Sequence, residues 1–262
     1  MLASTHITAG QHALAEGAWA VAREEFLLAL ENGDSAEAYA GLADAAWWLG
    51  DEDEVFAARE RAHQGFLAAG DQLGAARMAT WLFLDSMEFR GETGLANGWL
   101  QRAKILLEDF RGTREYGWLM VWEGSFWLSH ENDAAKALEL AGSVLEIGSS
   151  LDDPDLATLG LALEGLARVD LGQIVDGFAL LDRAAIATMS GEVAAPVARS
   201  TTMCWVIGAC DHARDYERAQ QWSERFKAVE HSWRVDGMFS ICRPHYALVL
   251  IQHGRWADAE RE

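Results

Sequence analysis

Seven short turn motifs divide this chain at a nearly constant interval. Gly17-Ala18-Trp19, Gly50-Asp51-Glu52, Gly91-Glu92-Thr93, Gly172-Gln173-Ile174 and Gly254-Arg255-Trp256 each close one helix-like run and open another. Two degenerate copies, Glu131-Asn132-Asp133 and Arg214-Asp215-Tyr216, fill the gaps, so the successive steps are 33, 41, 40, 41, 42 and 40 residues. A period of this size calls for a stacked array, because each unit must bury its apolar face against the next. Ala, Leu, Glu and Arg abound and β-branched runs are missing, so the units are helical. The expected fold is all-α: a right-handed superhelix of about seven antiparallel helix pairs, forming one domain over residues 1–262.

The pairs are expected at 2–16 with 18–32, 36–49 with 52–69, 72–90 with 93–109 and 114–130 with 133–149. Three more follow at 154–171 with 173–189, 195–212 with 215–231, and 238–253 with 256 onward. Local chemistry supports the divisions. Asn32-Gly33-Asp34-Ser35 offers a C-terminal glycine and then an N-cap. Asp152-Asp153-Pro154 places acids and a first-turn proline at a helix start. Gly191-Glu192-Val193 and Asp236-Gly237 are further breaks. Pro244 falls inside the thirteenth helix and predicts a kink or a later start. The last helix has only Trp256 to Glu262 to form from, too little to cover its partner, so the chain reads as a fragment of something longer or as an array capped by another molecule.

Half of the 262 residues are apolar and only 3 are proline, enough for a large core and unlike a disordered chain. The formal charge is −20, from 41 acidic and 21 basic residues. Such a surface repels phosphate, so neither nucleic acid nor an anionic membrane is an expected partner of this segment. Cys204, Cys210 and Cys242 are sparse and odd in number, which suggests a reducing compartment without a disulfide framework. Neither a signal peptide nor a run long and apolar enough to span a bilayer is found, and the expected location is the cytoplasm.

The stretch Ala36 to Asp51 carries an aromatic, Tyr39, at its fourth position, Leu42-Ala43 at the seventh and eighth, and Gly50-Asp51 at the turn. Ala43 and Ala62 are small where two helices must approach. In these residues the chain resembles the tetratricopeptide repeat, although its other copies run longer than that family's usual length of about thirty-four residues. The resemblance covers nearly the whole chain. A narrower one rests on Gly160-Leu161-Ala162-Leu163-Glu164-Gly165-Leu166-Ala167, Trp81-Leu82-Phe83-Leu84-Asp85 and Asn97-Gly98-Trp99-Leu100-Gln101-Arg102-Ala103. These look like the helical-repeat region of bacterial LuxR-type, MalT-like regulators. In that family the repeats precede a C-terminal helix-turn-helix, often follow an ATP-binding module, and in some members receive the inducer. The resemblance implies a sensing or coupling part whose DNA-binding module lies outside this chain. No phosphate loop and no basic recognition helix is present in the sequence.

Candidate recognition residues follow from the repeat positions. In a tetratricopeptide array the first helix of each pair lines the concave groove. Trp47, Trp48, Trp81, Trp118, Trp122, Trp127 and Trp205 all fall on first helices, and Trp47, Trp81 and Trp118 take groove-facing positions. Tryptophan supplies contact area at low entropic cost plus one N–H donor, though inter-repeat packing is the blander role for any single ring. Trp19, Trp99, Trp222 and Trp256 lie on second helices and read as structural. Asp44, Asp85 and Glu88 share the predicted groove face with Trp47 and Trp81. Rings beside carboxylates suit a cationic or amine-bearing aromatic ligand, or sugar hydroxyls. Glu123-Gly124 and Glu164-Gly165 lie 41 residues apart at a repeat position that is normally apolar. Such a carboxylate needs a partner or a close glycine contact, and a structural hydrogen bond is the plainer account.

Cys204, Cys210, His212, Cys242 and His245 lack the spacing of a zinc set, and Cys204 reads as a small groove or core residue. No nucleophile elbow, His-Glu-x-x-His or glycine-rich phosphate loop occurs, so neither a metal, a cofactor nor an enzymatic activity is expected. The expected function is effector or partner sensing in an aromatic, acidic groove, as part of a LuxR/MalT-type transcription regulator. The rivals are a freestanding scaffold that grips a peptide or helix, and a protein that sequesters a small molecule.

Overall fold

The computed structural model describes residues 2–233 and 246–261, and among these it is all-α, without a strand. The helices are α1 (Leu2–Ala15), α2 (Trp19–Glu31), α3 (Ala36–Leu49), α4 (Glu52–Ala68), α5 (Gln72–Glu88), α6 (Thr93–Leu106) and α7 (Arg114–Ser129). They continue as α8 (Ala134–Ser150), α9 (Pro154–Asp170), α10 (Ile174–Met189), α11 (Pro196–His212) and α12 (Tyr216–Trp233). The described part of α13 covers 246–252, and α14 is Trp256–Arg261. The expected start of α13 and the effect of Pro244 lie outside the described residues. The largest boundary difference is at α6, which ends at Leu106 and leaves 107–110 to turns.

The recurring motif has one conformational meaning. Gly17, Gly50, Gly91, Gly172 and Gly254 all have φ between 62° and 80°. At Gly50 this left-handed residue caps α3, its own N–H donating to the Trp47 carbonyl and that of Asp51 to the Ala46 carbonyl. In the two degenerate copies the same role falls to Asn132 (φ 54°) and Arg214 (φ 57°). Asparagine tolerates that region, whereas an arginine there is strained.

Helix starts absorb part of the acidic surplus. Asp51, Asp71, Asp133, Asp153 and Asp215 each accept a bond from the backbone N–H three residues on, as Ser35 does through its hydroxyl. A carboxylate there also faces the positive end of the helix. Pro154 occupies the first turn of α9 as expected.

Contacts divide the chain into two compact units, Met1–Leu119 and Met120–Glu262, with the division inside α7. In the first, each helix from α1 to α6 packs on its neighbours in the chain, and α1 also meets α3. Its core includes a cluster around the fully buried Phe26, with Ala13, Ala22, Leu42 and Ala43. The Phe26 ring lies so close to Gly10 and Gly41 that a Cβ at either would collide with it. In the second unit α9 packs on α8, α10 and α11, and α11 on α12. Here helix backbones touch directly. A Cβ on Gly148 would stand 2.6 Å from the Ala157 amide nitrogen, and Gly165 and Gly177 face one another's carbonyls. Only glycine permits that approach.

Candidate functional site

The first unit brings together most of the aromatic and acidic residues expected to face a ligand. Trp47 and Asp44 sit three residues apart on α3, one face of a helix. Trp81 and Asp85, four residues apart, share a face of α5 in the same way, and Trp118 lies in the second turn of α7. Trp81 and Trp118 are tilted neighbours, 6.2 Å between ring centroids. Trp47 meets Trp48 edge-on at 4.9 Å and Phe89 at 6.5 Å. Trp48 stacks on Trp19 at 4.7 Å, with ring planes 12° apart. Trp47, Trp81 and Trp118 are all half-buried, so each keeps an accessible edge.

Beneath these rings lies Arg59, which the repeat pattern alone does not single out. It belongs to α4, a second helix, yet is only 1% exposed. Its Nε donates to Oδ2 of Asp85 at 2.5 Å, and its Nη1 donates to Oδ1 of Asp44 at 3.1 Å. The guanidinium lies 4.9 Å from the centroid of the Trp81 ring, a cation–π distance. One arginine thus ties α3, α4 and α5 together through two carboxylates and an indole.

The two carboxylates differ sharply in environment. Asp44 has a side chain 44% exposed, whereas that of Asp85 is wholly buried. Asp85 is therefore corrected from a groove-lining acid to a buried one. Arg59 is bonded to it and its side chain is wholly buried, so a ligand cannot reach it directly. Burial pushes its carboxyl up to about 6, against the pull of the Arg59 charge and hydrogen bond, with a small upward push from Asp44. Trp47 adds a weak favourable interaction. It falls short of hydrogen-bond geometry: Nε1 of Trp47 and Oδ1 of Asp85 are both buried without such a bond. Glu88, one turn further along α5, is exposed.

In the second unit the expected residues are mainly built into the packing. Trp122 and Glu123 are buried. Glu123 accepts from Nε1 of Trp127 at 3.3 Å, and Gly124 beside it admits Leu163. This is the plainer, structural account of a carboxylate at an apolar repeat position. Glu164 is half-buried and bound by Arg168 one turn on, at 2.7 and 2.8 Å. Its neighbour Gly165 is the close contact to α10 described above. Cys204 offers no free groove thiol, because it is disulfide-bonded, so the expectation of unpaired cysteines fails at this position. Cys210 is free and buried, and desolvation pushes its thiol up to about 12, far from a reactive thiolate.

No protein-family model matches the chain, and no curated protein is significantly similar to it. The site must therefore be read from its own chemistry. Among the described residues no group of three His, Cys, Asp or Glu side chains could hold a metal ion. Among the same residues no helix is long and apolar enough to cross a membrane.

A cleft of about 520 Å3 opens elsewhere in the first unit, at the N-terminus of α3 and the second half of α4. Tyr39, Asp34, Glu37, Arg61 and Gln64 line it. Tyr39 donates to Asp34 at 3.1 Å, and the Arg61 guanidinium lies 5.9 Å from the Tyr39 ring centroid. In the sequence Tyr39 stands out only as a repeat marker and Asp34-Ser35 only as a helix start, while Glu37, Arg61 and Gln64 carry no signal. Their charges are solvent-facing and already engaged with one another, unlike the buried, incompletely bonded pair at Trp47 and Asp85.

Proposed function

We propose that this chain is a ligand- or partner-sensing helical-repeat module whose recognition surface is formed by Trp47, Trp81, Trp118 and Asp44. The observation that carries this reading is the Arg59 arrangement. A buried guanidinium supports Trp81 from below and anchors an accessible carboxylate beside it. Rings and charge are held in place before any ligand arrives, which lowers the entropic cost of binding. Partly exposed tryptophans are also the side chains most often found as anchors of binding surfaces.

The finer architecture we infer is a right-handed superhelix of about seven pairs with first helices on its inner face. The turn period and the tetratricopeptide resemblance support it. The narrower resemblance to LuxR/MalT-type regulators supports a coupling role. A ligand that binds one curvature better than another shifts the population toward it and biases an attached module. The acidic surface fits a segment that leaves DNA contact to that module. The rival reading, a scaffold for a peptide or helix, draws on the aromatic row Trp19–Trp48–Trp47–Phe89, which extends the surface beyond a small ligand's needs.

Native mass spectrometry of the protein taken from its host tests both. A bound small molecule supports the sensing reading, and a bound polypeptide supports the scaffold. Trp81→Ala, with its circular dichroism unchanged, should lose the bound species. Retention of it by that variant would move the site away from this surface.

A further inference from the structure

The charge balance beneath the tryptophans specifies the ligand's chemistry. Arg59 carries one positive charge and serves two carboxylates. Its short bond goes to Asp85, which is buried, and its longer bond goes to Asp44, which is half-exposed. With Asp85 ionised the triad has one net negative charge, and that charge reaches the surface at Asp44. Only Oδ1 of Asp44 is bound to Arg59, and the Asp44 side chain is 44% exposed. Half-buried Trp47 stands three residues on along α3, and half-buried Trp81 shares the Arg59 guanidinium with Asp44. The incomplete bonding of Trp47 Nε1 and Asp85 Oδ1 marks the same spot as one not optimised for stability alone.

We propose that this surface takes an organic cation, an ammonium group on an apolar body, paired with Asp44 and packed on Trp47 and Trp81. The proposal rests on the recognition reading above and gives it a substrate class. Cation–π attraction to the rings and a charge-assisted bond to Asp44 favour such a ligand. An anion would meet the net negative charge, with Arg59 buried out of its reach.

A regulatory consequence follows from the same geometry. Facing Asp85 are Arg59 of α4 and Asp44 and Trp47 of α3. Glu88 lies further along α5 at the surface, and Arg114 lies 5.7 Å from the Trp118 ring centroid. Of the other titratable groups on packed elements, His63 of α4 bonds the Ala75 carbonyl, and Arg102 of α6 acts on His63. When Asp85 takes up a proton, Arg59 has only Asp44 to neutralise, and the surface charge vanishes. Cation affinity therefore falls as the medium acidifies through the titration of Asp85. Arg59 and Asp85 act as positioning residues, and Asp44 makes the contact.

Three congeners test this: phenethylammonium, phenethyl alcohol and phenylpropionate, titrated by calorimetry into the whole chain at about pH 7.5 and about pH 5. The cation should bind best at the higher pH and weaken at the lower. Asp44→Asn, with its circular dichroism and melting checked against the wild type, should weaken it roughly tenfold, the loss of one charge-assisted contact. Asp85→Asn should bind the cation weakly at both values, with the pH dependence gone. Equal affinity for cation and alcohol, or no effect of Asp44→Asn, overturns the cation assignment. If the alcohol or the anion binds best and Trp81→Ala abolishes it, the charge argument fails while the recognition surface stands. If none of the three binds, both are overturned.

Discussion

At the scale of single residues, Asp85 has the clearest measurable consequence. Its carboxyl stands near 6 in the folded chain, raised from its ordinary 3.8 by burial. A raised acid favours folding while protonated, so its contribution is fully present below about pH 4 and is lost as pH rises through about 6. The size of that loss is on the order of 3 kcal/mol. Denaturant unfolding of the wild type and Asp85→Asn across this range should show the wild type falling relative to the variant. Parallel stability profiles would contradict the burial argument. Asp44, Trp47, Trp81 and Trp118 were legible in the sequence because they sit at matching repeat positions on amphipathic first helices. Arg59 was not. An arginine on a second helix has the pattern of a solvated face, and only its reach between α3 and α5 turns it inward. Asp85 shares the stripe of Trp81 in the sequence, but its depth depends on α4 packing on α5 and bringing Arg59 onto it. Glu123 was legible as a carboxylate needing a partner, though not that its own helix supplies one through Trp127.

At the scale of elements, the array is built from left-handed turn residues that end each first helix, and these are not equally well filled. Gly50 takes φ 72° without strain, while Arg214 takes φ 57° with a Cβ that crowds the next carbonyl. Arg214 is exposed. Arg214→Gly should therefore stabilise the chain by about 0.5–1 kcal/mol, the left-handed penalty less the entropy of glycine. Thermal or denaturant unfolding checks this, and an unchanged or lower stability would show that the turn does not limit the sixth pair. Helix positions were legible to within a few residues because capping aspartates, glycines and Pro154 punctuate the chain. The end of α6 was harder to read. Residues 107–110 continue an apolar pattern that the backbone leaves for turns, and Leu107 is fully buried outside the helix. Glycines inside helices carried no such signal, because a contact like that of Gly148 with Ala157 depends on a partner far along the chain.

At the scale of the molecule, the period predicts an all-α array whose helices pack on their chain neighbours, and the described residues have that organisation. What an array recognises is not encoded in its period, because the period reports packing and the ligand meets only the side chains that packing leaves over. In the first unit the proposed surface is made of the partly exposed tryptophans and the Asp44 carboxylate, held by one buried arginine. The proposed function requires that this surface, rather than the twelve tryptophans at large, does the recognising. The most direct measurement is the indole N–H spectrum of the nitrogen-labelled protein, assigned by single substitutions, during titration with phenethylammonium. The Trp47, Trp81 and Trp118 signals should move together along one binding curve, while Trp99 and Trp222 stay in place. Movement confined to Trp99 or Trp222, or no movement at any tryptophan, would contradict the proposed function.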